Sequence, residues 1–210
     1  MRRAKYFGRS AMRLLLSCLL FFCLLLCSTA CVPAQGDPFA YAAAPFSVTV
    51  EGTYLPANDP EGTPRPFAAR VTVGAPMNGD PTLRDLTVTF TSPDTLAGVT
   101  VTATPSPATD GGYGRAVTFS YPSDYGEVGF TATGDELDGL LRFAEALLPI
   151  GDVVERSPTA EDGSYTVTRR TADGGREAVF AFAEGTAVPV RVRLTDERGT
   201  VEMGVRASGG

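Results

Sequence analysis

Residues 86–104 read LTVTFTSPDTLAGVTVTAT. Leu86, Val88 and Phe90 alternate with Thr87, Thr89 and Thr91; Val99 and Val101 alternate with Thr100, Thr102 and Thr104. A period of two sends the apolar set to one face and the threonines to the other. Each run is therefore a strand with one buried and one wet face. Ser92-Pro93-Asp94-Thr95-Leu96 predicts a short turn between them.

The same pattern continues on both sides. Phe46, Val48 and Val50 alternate with Ser47, Thr49 and Glu51, and Val117, Phe119 and Tyr121 with Thr118 and Ser120. Tyr165 and Val167, then Val188, Val190, Val192 and Leu194, then Val201, Met203 and Val205 extend the series. Turn chemistry separates the runs: Asn58 to Gly62, Met77-Asn78-Gly79-Asp80, Asp110-Gly111-Gly112, Asp162-Gly163, Asp173-Gly174-Gly175 and Asp196 to Gly199. That spacing predicts sequential antiparallel hairpins, about ten strands in all. Parallel pairing would need long crossovers, which the chain lacks.

One segment has a different period. From Asp135 to Leu148 the apolar residues are Leu137, Leu140, Leu141, Ala144, Leu147 and Leu148, one stripe of a helix. Asp135, Glu136 and Asp138 occupy its first turn, where they complement the helix dipole, and Pro149 stops it. The fold class is mainly β with one amphipathic helix: a curved antiparallel sheet, or open half-barrel, covered by the helix.

The N-terminus is a different kind of segment. Arg2, Arg3, Lys5, Arg9 and Arg13 precede an apolar run from Leu14 to Cys27, then small residues Ser28-Thr29-Ala30. Basic, apolar, then small is the order of a secretory signal. The apolar run is shorter than the ~20 residues a spanning helix needs. All four cysteines lie at or before Cys31, so the exported part has no internal disulfide. Leu26-Cys27-Ser28-Thr29-Ala30-Cys31 resembles the lipobox of bacterial lipoproteins, and that resemblance makes Cys31 the lipidation site. Two acyl chains at ~0.8 kcal/mol per buried methylene suffice for stable anchoring. Cleavage without lipidation and an uncleaved signal anchor stay open as alternatives. The expected organisation is a signal peptide at 1–30, lipidated Cys31 and tether at 31–45, and a β domain at 46–207.

From Cys31 onward the chain carries 13 Arg, no Lys and 24 Asp plus Glu, a net charge of −11. Such a surface repels nucleic acid and anionic headgroups, so attachment to the membrane falls to the lipid. The expected location is the outer face of a bacterial cell membrane. No nucleic-acid partner is expected.

The chain contains no His, which removes Ser-His-Asp and Cys-His catalysis and histidine metal sites. Carboxylates remain. Asp135, Glu136 and Asp138 read as an acid/base or cation cluster, or as ordinary helix-start acids. Asp59, Glu61 and Asp80 lie in loops, without the spacing of an EF-hand. Arg169, Arg170 and Arg176, with Arg191 and Arg193, read as anion receptors or as solvated strand-face residues. No catalytic residue, metal or cofactor is expected. The leucine stripe has two readings, core filling or the lining of an apolar cavity.

The strand count, the late helix and the ending Gly185-Thr186-Ala187-Val188-Pro189-Val190-Arg191-Val192 resemble the LolA-like superfamily of outer-membrane lipoprotein-sorting half-barrels. Phe90 to Gly98 is similar to a segment of small Gram-positive lipoproteins of that fold. The resemblance spans roughly residues 46–207. It implies a non-enzymatic role, binding lipid or the acyl chains of another lipoprotein. Leu137, Leu140, Leu141, Phe143, Phe90 and Phe119 are the expected cavity lining. The alternative is an anchored structural or protein-interaction domain with a filled core. A carboxylate enzyme such as a glycosidase is a third reading.

Overall fold

The computed structural model describes residues 36–107, 112–123, 126–132 and 138–208. The expected signal peptide, Cys31, Asp135, Glu136 and Leu137 lie outside the described residues.

Eleven strands form one antiparallel sheet. They are β1 (Phe46–Pro56), β2 (Arg65–Val73), β3 (Leu86–Ser92), β4 (Thr100–Pro107), β5 (Tyr113–Ser123), β6 (Gly126–Ala132), β7 (Asp152–Arg156), β8 (Tyr165–Arg170), β9 (Arg176–Phe182), β10 (Arg191–Asp196) and β11 (Gly199–Ala207). The chain meanders outward from β1 to β6, passes through helix α1 (Asp138–Glu145), and returns from β7 to β11, which pairs with β1. Strands β6 and β7 are the two edges, so the sheet is open. The late strand opens at Arg191 rather than Val188, although the Val190 amide still donates to the Ala181 carbonyl at 2.8 Å.

The sheet is curved, and one residue proves it. Glu145 of α1 pairs with Arg115 of β5, and its carbonyl accepts from Arg176 of β9 at 2.6 Å. Those strands are seven steps apart in the sheet. Laid flat, seven steps would span about 34 Å. Only a sheet curled around α1 lets both strands reach the same residue.

The period-two reading gives the inner face. Val48 and Val50 of β1, Val71 and Val73 of β2, and Val192 and Leu194 of β10 are all buried there. Leu141, Arg142 and Ala144 of the helix, with Leu147 and Leu148 of the turn that follows, are each within 1 % of full burial. An amphipathic helix laid across a flat sheet would keep its polar face wet. Here the curl encloses it, so polar residues are buried too. The helix ends at Glu145, before the expected end at Leu148. After Glu145 the bonds tighten, with Leu147 N donating to Ala144 O at 3.1 Å and Leu148 N to Glu145 O at 3.0 Å.

The compact unit begins at Pro38, eight residues before the expected domain start. Phe39 is buried edge-on against Phe180 and Phe182, with ring centroids 5.0 and 5.8 Å apart. A 3-10 turn, Ala40–Ala43, follows, and the Tyr41 hydroxyl donates to the Leu147 carbonyl at 2.7 Å. What composition reads as tether is, from Pro38, part of the core. The unit Pro38–Gly210 holds the whole hydrophobic cluster and so carries its own folding core.

Candidate functional site

The inner face changes chemistry along the strands. Its middle is aliphatic, and charged residues flank it. Arg115 precedes Val117 on β5, Arg169 follows Val167 on β8, Arg176 precedes Ala178 on β9, and Asp196 follows Leu194 on β10. Each shares the inward parity of its strand. They meet the polar side of α1. Arg142 donates to Asp196 at 2.8 Å and to the Gly199 carbonyl at 3.0 Å, and its guanidinium lies 5.4 Å from the Tyr54 ring centroid. Glu145 pairs with Arg115 and, at 3.5 Å, with Arg198. Burial is the main cause that pulls the Arg176 guanidinium below its ordinary value, against the opposing influence of Glu145 and Asp196.

This layer corrects one expectation. Arg169 and Arg176 are not solvated strand-face residues. Arg169 donates to the Gly151 carbonyl and lies 4.9 Å from the Phe39 ring centroid, and Arg176 caps the end of α1. Arg170 and Arg191, on the outer face, form exposed pairs with Glu177 and Glu202, and Arg193 is exposed too. The guanidiniums inside bind carbonyls and carboxylates of the chain itself. Arg115 and Arg176 in this layer fasten the end of the helix. Asp59, Glu61 and Asp80 sit in exposed turns. Among the described residues no group of three or more His, Cys, Asp or Glu is placed to hold a metal ion. No described helix is long and apolar enough to cross a membrane.

The candidate binding site lies beside this layer, where the inner face reaches the rim at β1 and β2. Tyr54 and Arg65 are paired across β1 and β2. Both have inward parity, following Val48 and Val50 on one strand and leading to Phe67 on the other. With Pro66, Phe67, Pro93, Leu96, Leu140 and Phe143 they line a pocket of about 370 Å³. Phe143 forms its floor, 3.9 Å from Phe67 and edge-on to Phe90 at 5.6 Å, centroid to centroid. Leu96 reaches the rim because the turn after β3 folds back, with Gly98 N donating to Phe90 O at 2.9 Å and Leu96 N to Pro93 O at 2.8 Å.

Of the six residues expected to line a cavity, Leu140 and Phe143 line this pocket. Phe90 and Leu141 are fully packed into the core, and Phe119 packs against it. Leu137 lies outside the described residues. Sequence reasoning passed over Tyr54, Arg65, Phe67 and Leu96. Strand parity marks the first three as inward, but their meeting with Leu96 depends on pairing between distant strands.

No family model matches this chain, and no curated protein matches it. Among solved structures it is similar to an uncharacterized conserved protein from Thermus thermophilus, at TM-score 0.41 and 14% identity over 83% of this chain and 85% of that one. It is similar to a DUF1329 family protein from Desulfovibrio piger, at TM-score 0.42 and 10% identity over 83% and 89%. A domain proposed to be an outer membrane lipoprotein-sorting protein, from Vibrio parahaemolyticus, is similar at TM-score 0.34 and 9% identity over 80% and 87%. Likenesses this distant assign neither a family nor a ligand.

Proposed function

We propose that this chain is an exported, lipid-anchored, non-enzymatic β domain that holds one apolar chain, of a lipid or of another lipoprotein, in the rim pocket. The observation that supports it is the pocket itself. Its volume of about 370 Å³ lies at the low end of the ~300–1,000 Å³ range of ligand sites. All but one of its described lining residues are apolar or aromatic. Among the described residues α1 packs into the core cluster that lines the rest of the inner face.

A second reading, an anchored structural or protein-interaction domain, is favoured by the complete burial of Leu141, Leu147 and Leu148. Native mass spectrometry of Pro38–Gly210 with a single-chain lipid separates the two. The binding reading expects one lipid per domain, lost in Leu140→Trp, which fills the pocket from a half-buried position. Absence of uptake at every ratio, from a protein that melts cooperatively, leaves the structural reading.

A further inference from the structure

We infer that the rim pocket selects a single-chain amphiphile with an anionic end, held by Arg65. The inference rests on the reading of the pocket as an apolar-chain site and adds the chemistry of the ligand's head. Arg65 is the one cation among the described residues that line the pocket. It stands at the first position of β2, with inward parity but beyond the buried stretch, so its side chain is solvent-exposed at the mouth while Phe67 closes the interior. Among the described residues its guanidinium makes no ion pair.

Among the described residues the other polar groups nearby have partners within the chain. The Tyr54 hydroxyl donates to the Arg198 carbonyl at 2.9 Å, and Arg142, across the Tyr54 ring, is paired with Asp196. Among the described residues nothing engages the planar fork of donors on Arg65, which stays available to a ligand. That fork matches a carboxylate or a phosphate with two parallel hydrogen bonds. The surroundings sharpen the contrast, because the exported part carries a net charge of −11. A free anion has little reason to approach such a surface. An anion joined to an apolar chain gains the burial of that chain first, and the guanidinium then fixes the head. The shared chemistry is a terminal anion, supplied by a free fatty acid or by the phosphate of a lysophospholipid.

The test uses Pro38–Gly210 and three probes below their micelle concentrations: hexadecanoate, palmitoyl lysophosphatidylglycerol and hexadecanol. Native mass spectrometry in competition reads their relative affinities. The expected result is an anion preference of about tenfold over hexadecanol. Arg65→Gln should remove that preference while hexadecanol binding stays unchanged. Preference for hexadecanoate alone identifies a carboxylate ligand, and preference for both anions a less discriminating one. Equal binding of all three by the unaltered protein, or a preference that survives Arg65→Gln, overturns the inference while leaving the apolar-chain reading intact. If no probe binds, the apolar-chain reading fails with it.

Discussion

Arg142 and Asp196 show what a buried charge requires. Their side chains are 1% and 7% exposed. Desolvating both is costly, and the pair persists because each has further partners: the Gly199 carbonyl and the Tyr54 ring for Arg142, and the Arg198 backbone amide, 2.8 Å away, for Asp196. Removing one partner strands the other. Asp196→Ala should destabilise the domain by about 3 kcal/mol, measured by urea unfolding, and Arg142→Met in the same chain should recover much of the loss. Exposed carboxylates act differently. Asp173 accepts from the Thr171 hydroxyl at 2.6 Å and the Gly175 amide at 3.0 Å in the β8–β9 turn, and these bonds lower its pKa, the hydroxyl most. Asp80 and Asp162 shift the same way, through Thr82 and Ser164. A folded-state pKa below the unfolded value stabilises above about pH 4, and the gain is lost as pH falls through the folded value. Thermal melts should show Asp173→Asn less stable than the unaltered protein at pH 6, with the gap closing below about pH 4. A gap that does not change with pH counts against this account.

At the scale of elements, β1 and β11 approach closely at two glycines. Gly52 lies opposite Met203, and a Cβ there would overlap the Glu202 carbonyl and the Met203 backbone. Gly199, which opens β11 at φ 125°, similarly faces the Leu55 carbonyl, and its own carbonyl accepts from Arg142. At both positions the missing side chain lets two backbones meet under the helix. Gly52→Val should cost about 1–3 kcal/mol by overpacking, read as a lower denaturation midpoint. A neutral result would show that β1 and β11 can separate without loss. Helix α1 is secured at its C-terminal end by groups from elsewhere in the chain: Tyr41 on Leu147, Arg176 on Glu145, and Arg115 on the Glu145 side chain. The negative end of the helix dipole faces those guanidiniums, which favours their charge. Pro149 follows the last turn, but the tightening after Glu145 begins before it.

For the whole molecule, the alternation of residues 86–104 was enough to predict an antiparallel, mainly β protein. Asn78-Gly79 was enough for a tight turn, and both residues adopt positive φ, 52° and 76°, as such a turn demands. The helix was legible from its leucine spacing, because a period near 3.6 cannot serve a strand. The inward arginines and the docking of Phe39 were not. Arg115, Arg176 and Arg198 lie 30, 31 and 53 residues from Glu145 in sequence, yet all three reach it. Periodicity states which residues share a face. It is silent on which strands a closing sheet brings opposite one another, and so on whether a charge on that face meets water or a partner. The rim pocket is of the same kind, since Arg65, Leu96 and Phe143 share no local pattern. By itself the sequence determined the strands that alternate cleanly, most of the turns between them and the existence of one helix, because these are set by neighbours a few residues apart, whereas β2, β6, β7 and β9 were not read from it. Only the tertiary structure decided that the sheet curls, that the helix is enclosed with its charges, and where an apolar opening remains, because each depends on contacts between segments far apart in the chain.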